Sequence, residues 1–81
     1  MSKELPRDSW IRVGQTVKTL REMRGMKPDQ LATAALISRP YLSNIEAGRK
    51  PLTEVILARI ADALHVHQIA ILNCEELEPA A

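Results

Sequence analysis

The sequence predicts an all-α domain, a compact five-helix bundle. Three observations predict it. The chain has 81 residues with no Phe, one Trp and one Tyr, so its core must be built from Leu, Ile, Val, Ala and Met. Alanine and leucine are abundant, while the β-branched and aromatic runs that mark strands are scarce. Apolar residues recur at steps of three and four in short segments punctuated by Gly, Pro, Ser and Thr. A chain of this length makes one small domain, near the size at which a single core barely suffices.

Residues 1–8, MSKELPRD, read as a polar N-terminal arm, and the folded domain as 9–73. Ser9 can cap a first helix running from Trp10 to about Arg24, with Trp10, Val13, Gly14, Val17, Leu20 and Met23 on its apolar or small face. Gly25 supplies its stop. A second helix starts at Pro28, where a missing N–H costs nothing. Asp29 complements the positive helix start, and Gln30 can reach back to the cap residue. Leu31, Ala32, Ala34 and Ala35 form a small-residue surface suited to close packing.

Leu36 and Ile37 break that pattern. A third helix spans about Arg39 to Ala47 and ends at Gly48, with Leu42 and Ile45 facing inward. Its start has two solutions, because Arg39 precedes a proline and is disfavoured in the helical region. Either Ser38 caps it with Pro40 in the first turn, or Arg39 is itself the cap. Thr53 caps a fourth helix, Glu54 to about Leu64, whose apolar positions are Ile56, Leu57, Ile60, Ala61 and Leu64. His67 or Gln68 opens a short fifth helix through Leu72, and residues 74–81 form an acidic, frayed tail.

The second and third helices, within residues 28–47, are each about two turns long and are joined by about four residues, the pattern of a helix-turn-helix. Their small contact surface lets them cross steeply and holds the third helix outward. Arg39, Pro40, Ser43 and Asn44 are then free, and their types match base edges. Arg39 can bond guanine O6 and N7, Asn44 can pair with adenine N6 and N7, Ser43 is adaptable, and Pro40 can touch a thymine methyl. Arg49 and Lys50, just past the helix end, are placed to meet phosphates. Reading groups thus sit where the helix enters a groove, and anchoring charges where the chain leaves it. Tyr41 is open to two roles, a phosphate contact or a shield over the core. Arg49 and Lys50 can in addition serve as a cap on the helix dipole.

Charge distribution fits a polyanion partner. Residues 1–59 carry all eleven Lys and Arg against six acids, and residues 60–81 carry four acids and no Lys or Arg. A normally solvated surface would look the same by charge alone.

The strings GQTVKTLREMRGM, DQLATAALISRPYLSNIEAGRK and LTEVILARIADALHV carry a further observation. Across residues 14–66, about two-thirds of the chain, they resemble the lambda-type repressor and Cro family of helix-turn-helix regulators, the xenobiotic-response-element group. The run LSNIEAGRK, with Leu31 and Ala32 upstream, is the specific part. The resemblance implies a lambda-repressor-like bundle whose third helix enters the major groove of double-stranded DNA, with Arg39, Pro40, Ser43 and Asn44 at base-reading positions. It also implies phosphate contacts around Lys27, Ser38, Tyr41, Arg49 and Lys50, and an internal salt bridge between Arg21 and Glu46. Three departures stand out. Pro28 replaces a Gln that touches a phosphate, so that contact is lost or moves to Lys27. Leu36 replaces a turn Gly, where a positive φ is costly for Leu, so a slightly different turn is expected. Ala47 replaces a phosphate-binding Asn.

Other chemistry is excluded or unsupported. His65 and His67 stand two apart with only Cys74 nearby, which is no metal set, so no metal and no cofactor are expected. There is no nucleophile constellation, no paired carboxylates at catalytic spacing and no glycine loop for phosphates, so no enzyme and no small-molecule ligand are expected. A single Cys forms no internal disulfide, no apolar stretch reaches about 18 residues, and the first ten residues lack a leader's apolar run, so a cytoplasmic, nucleoid-associated chain is expected. Ile69, Ile71 and Leu72 either complete the core or form a self-association surface. Within the family a homodimer on a palindromic operator is the common arrangement, with repression as its simplest outcome. The alternative is a protein-interaction module, antitoxin-like or docking on polymerase or another regulator, with weak DNA binding and a second protein as partner.

Overall fold

The computed structural model describes residues 7–72. Five helices follow one another: α1 (Arg7–Met23), α2 (Pro28–Ala34), α3 (Arg39–Glu46), α4 (Glu54–Leu64) and α5 (Gln68–Leu72). α1 packs across α3, α4 and α5, while α2 packs on α3 and α4, so a core forms where all five meet. Val17, Leu31, Leu42, Ile45, Ile60, Leu64 and Ile71 are its largest fully buried side chains. Each is aliphatic, and removing such a side chain from water stabilises the fold by roughly 1.5–3 kcal/mol.

α1 begins three residues earlier than the sequence suggests. Ser9 lies inside the helix and is not its cap, and the polar arm gives way to helix by Arg7. Arg7, Asp8 and Ser9 contain no helix breaker. The far end also differs from expectation, because Met23 is 75% exposed and runs past the core.

The first four helices close with one device. The N–H of a left-handed residue and that of its successor bond back to the last-turn carbonyls, the paired pattern of a Schellman stop. In α1 these bonds are Gly25 N–H to Glu22 O, 2.9 Å, and Met26 N–H to Arg21 O, 3.0 Å. In α2 they are Leu36 to Thr33, 3.2 Å, and Ile37 to Ala32, 2.9 Å. α3 uses Gly48 to Ile45, 3.0 Å, and Arg49 to Asn44, 2.8 Å. α4 uses His65 to Asp62, 3.1 Å, and Val66 to Ala61, 3.0 Å. Gly25 and Gly48 take positive φ freely, but Leu36 (φ 61) and His65 (φ 59) do so as L side chains. The turn after α2 therefore does not deviate to accommodate Leu36. The two carbonyl bonds, with Ala35 buried on one side and Ile37 half-buried on the other, hold it left-handed.

The starts are equally defined. Ser38 caps α3, its Oγ accepting from Tyr41 N–H at 3.1 Å, which places Arg39 first in the helix and Pro40 second. Gln30 Oε1 accepts from Lys27 N–H at 2.8 Å at the start of α2. Thr53 Oγ1 accepts from Ile56 N–H at 3.3 Å at the start of α4. Among the described residues no helix is long and apolar enough to cross a membrane.

Candidate nucleic-acid interface

α3 is the element that determines the site, and α1 fixes it at three points. Gly14 is buried beneath the end of α3, and a Cβ there would collide with the carbonyl oxygen of Ile45 and stand 3.0 Å from that of Glu46. Gly48, just past the helix, combines φ +79 with an approach so close that a Cβ would lie 2.8 Å from Ile11 Cα. At a third point Arg21 Nε donates to Glu46 Oε2 at 2.8 Å and Nη2 to Oε1 at 3.3 Å. A third guanidinium nitrogen, Nη1, donates to Met26 O at 2.9 Å, so one side chain joins α1, the turn after it and α3.

This clamp sets the face that α3 shows. Leu42 and Ile45 are 0% and 1% exposed on the inner side. Arg39, Pro40 and Ser43 are exposed and Asn44 is half-buried, at i, i+1, i+4 and i+5 on the opposite side. Tyr41 is half-buried and packs against the core cluster. Lys27, Ser38, Arg49 and Lys50 are all exposed at the two ends of the α2–α3 unit. Ser38 Oγ is occupied as an acceptor by its capping bond, and its O–H still has a proton to donate. Pro28 stands at the first position of α2 and offers no N–H.

Two polar pairings cross this surface that residue type and spacing did not reveal. Arg39 Nη1 lies 3.4 Å from Asp29 Oδ1, joining the starts of α3 and α2. Arg49 Nη1 donates to Asn44 Oδ1 at 3.3 Å, and the Arg49 and Lys50 N–H groups both bond Asn44 O, at 2.8 and 3.3 Å. Asn44 and Arg49 thus form one unit at the exit of the helix. A base-reading residue and a phosphate-binding one had been expected there as separate groups. Beyond the site, Arg24 Nη2 donates to His65 O at 3.2 Å and ties the end of α1 to the turn before α5.

The three residues at the C-terminal end are divided. Ile71 is fully buried in the core and offers no surface, which removes it from the self-association set. Ile69 is 61% exposed, and Leu72 is half-buried against the core. Cys74 and the acidic tail lie outside the described residues. Among the described residues no group of three or more His, Cys, Asp or Glu could hold a metal ion.

With this geometry in place, comparison with known proteins identifies the class. The chain belongs to the helix-turn-helix domain family, whose model matches residues 12–70. The match is at the level of HTH-type transcriptional regulators and the phage repressor–Cro superfamily, and does not single out the lambda-type group. The chain is 38% identical over 65 residues to the immunity repressor protein of Bacillus phage phi105, covering 80% of this chain and 45% of that protein. It thus spans about half the length of such curated relatives. In three dimensions it is similar to the clp gene regulator ClgR of C. glutamicum, with 26% identity, TM-score 0.79, and coverage of 90% of this chain and 96% of that one. It is also similar to the wild-type restriction-modification controller protein C.Esp1396I, with 29% identity, TM-score 0.74, and coverage of 85% and 94%.

Proposed function

We propose that the protein is a sequence-specific regulator of transcription of the lambda-type repressor and Cro group, binding double-stranded DNA and acting most simply as a repressor that occludes a promoter. One observation carries the reading. The acid on α3, Glu46, is turned inward and neutralised by Arg21, so the outer face of that helix is left to Arg39, Pro40, Ser43 and Asn44. An unpaired carboxylate on a helix lying among phosphates would oppose binding, and its sequestration fits a groove-facing helix.

In this reading α3 lies in the major groove. The Nη2 and Nε edge of Arg39 meets guanine O6 and N7, Pro40 meets a thymine methyl, and Ser43 takes what its neighbour offers. Asn44 Oδ1 accepts a hydrogen bond from Arg49 Nη1 in the free protein. Reading adenine requires that oxygen for N6, so Arg49 moves from Asn44 to a phosphate as the helix seats. Lys27, Ser38 and Lys50 hold the flanking backbone. The kinship with a phage immunity repressor and with bacterial gene regulators supports the same role, in the cytoplasm at the nucleoid. A homodimer through the α5 end, with Ile69 and the edge of Leu72 in its contact, would set two copies of α3 about 34 Å apart on a palindromic operator.

The contrast between Arg39→Ala and Arg49→Ala tests this assignment. Arg39→Ala relaxes the preference at one base position at a cost of about 1–3 kcal/mol. Arg49→Ala weakens all duplexes alike. Uniform weakening by Arg39→Ala, or an altered base preference in Arg49→Ala, contradicts the assigned roles.

A second reading has its own support. Leu36, Val55 and Ile69 are exposed apolar side chains, at 73%, 59% and 61%, to which the groove-reading model gives no role. On that basis the scaffold serves as a protein-docking or antitoxin-like module. Its mass in solution separates the two: a stable symmetric dimer favours the operator reading, and a monomer that takes up one stoichiometric partner favours docking.

A further inference from the structure

We propose that Asp29 on α2 is a specificity-determining positioning residue, holding Arg39 so that it reads one base and does not stray to the phosphate backbone. The inference rests on Arg39 being a base reader.

The two side chains hang from pinned backbones. Pro28 immediately before Asp29 and Pro40 immediately after Arg39 each have φ fixed by their rings. The Gln30–Lys27 bond closes the first turn around Asp29, and the Ser38 cap fixes the turn that carries Arg39. From these fixed points Asp29 Oδ1 and Arg39 Nη1 meet at 3.4 Å.

The fold gains little from the contact. The side chains are 75% and 56% exposed, and an ion pair this open adds only slightly to stability. Its effect is on direction. A guanidinium reads guanine with two parallel N–H groups along one edge. With Nη1 held by Asp29, the edge formed by Nε and Nη2 remains free, and it is a two-donor edge. An unheld arginine samples several rotamers and can satisfy itself on phosphates, which carry no sequence information. The Asp29 carboxylate opposes that escape, because it repels the phosphates as it attracts the guanidinium. Asp29 therefore lowers affinity for DNA in general and raises discrimination at one position. A carboxylate present only to complement the dipole of α2 would repel phosphates as well but would leave discrimination at that position unchanged.

The experiment selects bound duplexes from a random pool with the wild type, Asp29→Asn, Asp29→Ala, Arg39→Ala and the double variant Asp29→Ala/Arg39→Ala. Quantitative binding to the recovered sites and to unrelated duplexes follows. The expected result is a preference at the Arg39 position that falls roughly two- to fivefold in both Asp29 variants, with equal or tighter binding to unrelated DNA. The double variant should match Arg39→Ala alone. Asp29 variants that keep the full preference, or that weaken every duplex alike, overturn the proposal and leave Asp29 a helix-start residue. If Arg39→Ala changes no base preference, the reading of Arg39 fails and the proposal falls with it. A melting curve for Asp29→Asn, an isosteric change on an exposed side chain, checks that the fold is intact.

Discussion

Arg21 of α1 and Glu46 of α3 are joined by two hydrogen bonds, 2.8 and 3.3 Å, with side chains only 7% and 10% exposed. A pair so buried adds little net stability, because removing both charges from water offsets their attraction. Breaking it is another matter, because one partner is then stranded. Glu46→Ala is expected to cost about 3 kcal/mol, a fall in Tm of more than about 10 °C for a domain this small. Replacing both residues together, Arg21→Met with Glu46→Leu, should recover most of the loss. Thermal unfolding of the wild type, Arg21→Met, Glu46→Leu and the double variant measures the coupling, and simple additivity of the two single changes would contradict the clamp.

Gly14 gives a test in which two physical effects have opposite signs. By helix propensity alone, Gly14→Ala in the middle of α1 should stabilise by about 1 kcal/mol. The Cβ would, however, collide with the Ile45 carbonyl, a backbone atom that cannot yield without moving α3. A net destabilisation of about 1–3 kcal/mol is expected, together with weaker DNA binding as α3 is displaced. A stabilised variant would mean that α1 and α3 are not held this closely.

Leu36 gives the converse case. Its φ of 61 and its 73% exposure mean that the side chain costs conformational energy and packs little. Leu36→Gly should raise stability by about 1 kcal/mol or slightly less, since relief of left-handed strain exceeds the added freedom of the unfolded chain. Urea unfolding reads the change. A loss of stability would show that Leu36 makes contacts that outweigh its strain.

Most of the architecture was legible in the residues, and the reasons are local. Proline at the first position of α2, serine and threonine caps, and glycine after α1 and α3 each carry a backbone preference strong enough to place an element boundary. What was not legible depends on tertiary packing. Leu36 and His65 lie in left-handed geometry against their own preference, because the chain on both sides of each is committed to the core. Ile71 and Ile69 look alike in sequence, and only the docking of α5 on α1 and α4 determines which is buried. In the site, residue type suggested Arg39, Ser43 and Asn44 as exposed readers, but the pairings of Arg39 with Asp29 and of Asn44 with Arg49 arise from helix ends brought together in space. The start of α1 was missed because Arg7 and Asp8 carry no apolar periodicity.

Binding should depend steeply on salt. About eight phosphate contacts in a dimer give a slope of log K against log salt of about −7. If Arg49 makes one phosphate contact in each protomer of a dimer, as proposed, Arg49→Ala should lessen that slope by about two, while Arg39→Ala should leave it nearly unchanged. Fluorescence anisotropy across a salt series provides the slopes. An unchanged slope for Arg49→Ala would remove that residue from the backbone contacts.

On the proposed reading, the outer face of α3 reads base sequence in double-stranded DNA. Selection of bound duplexes from a random pool at near-physiological salt tests it most directly. The expected result is a two-fold symmetric motif with half-sites about one helical turn apart, about 10 base pairs centre to centre. Recovery of no motif, with only weak and salt-sensitive binding, would contradict it and favour a protein partner for the same surface.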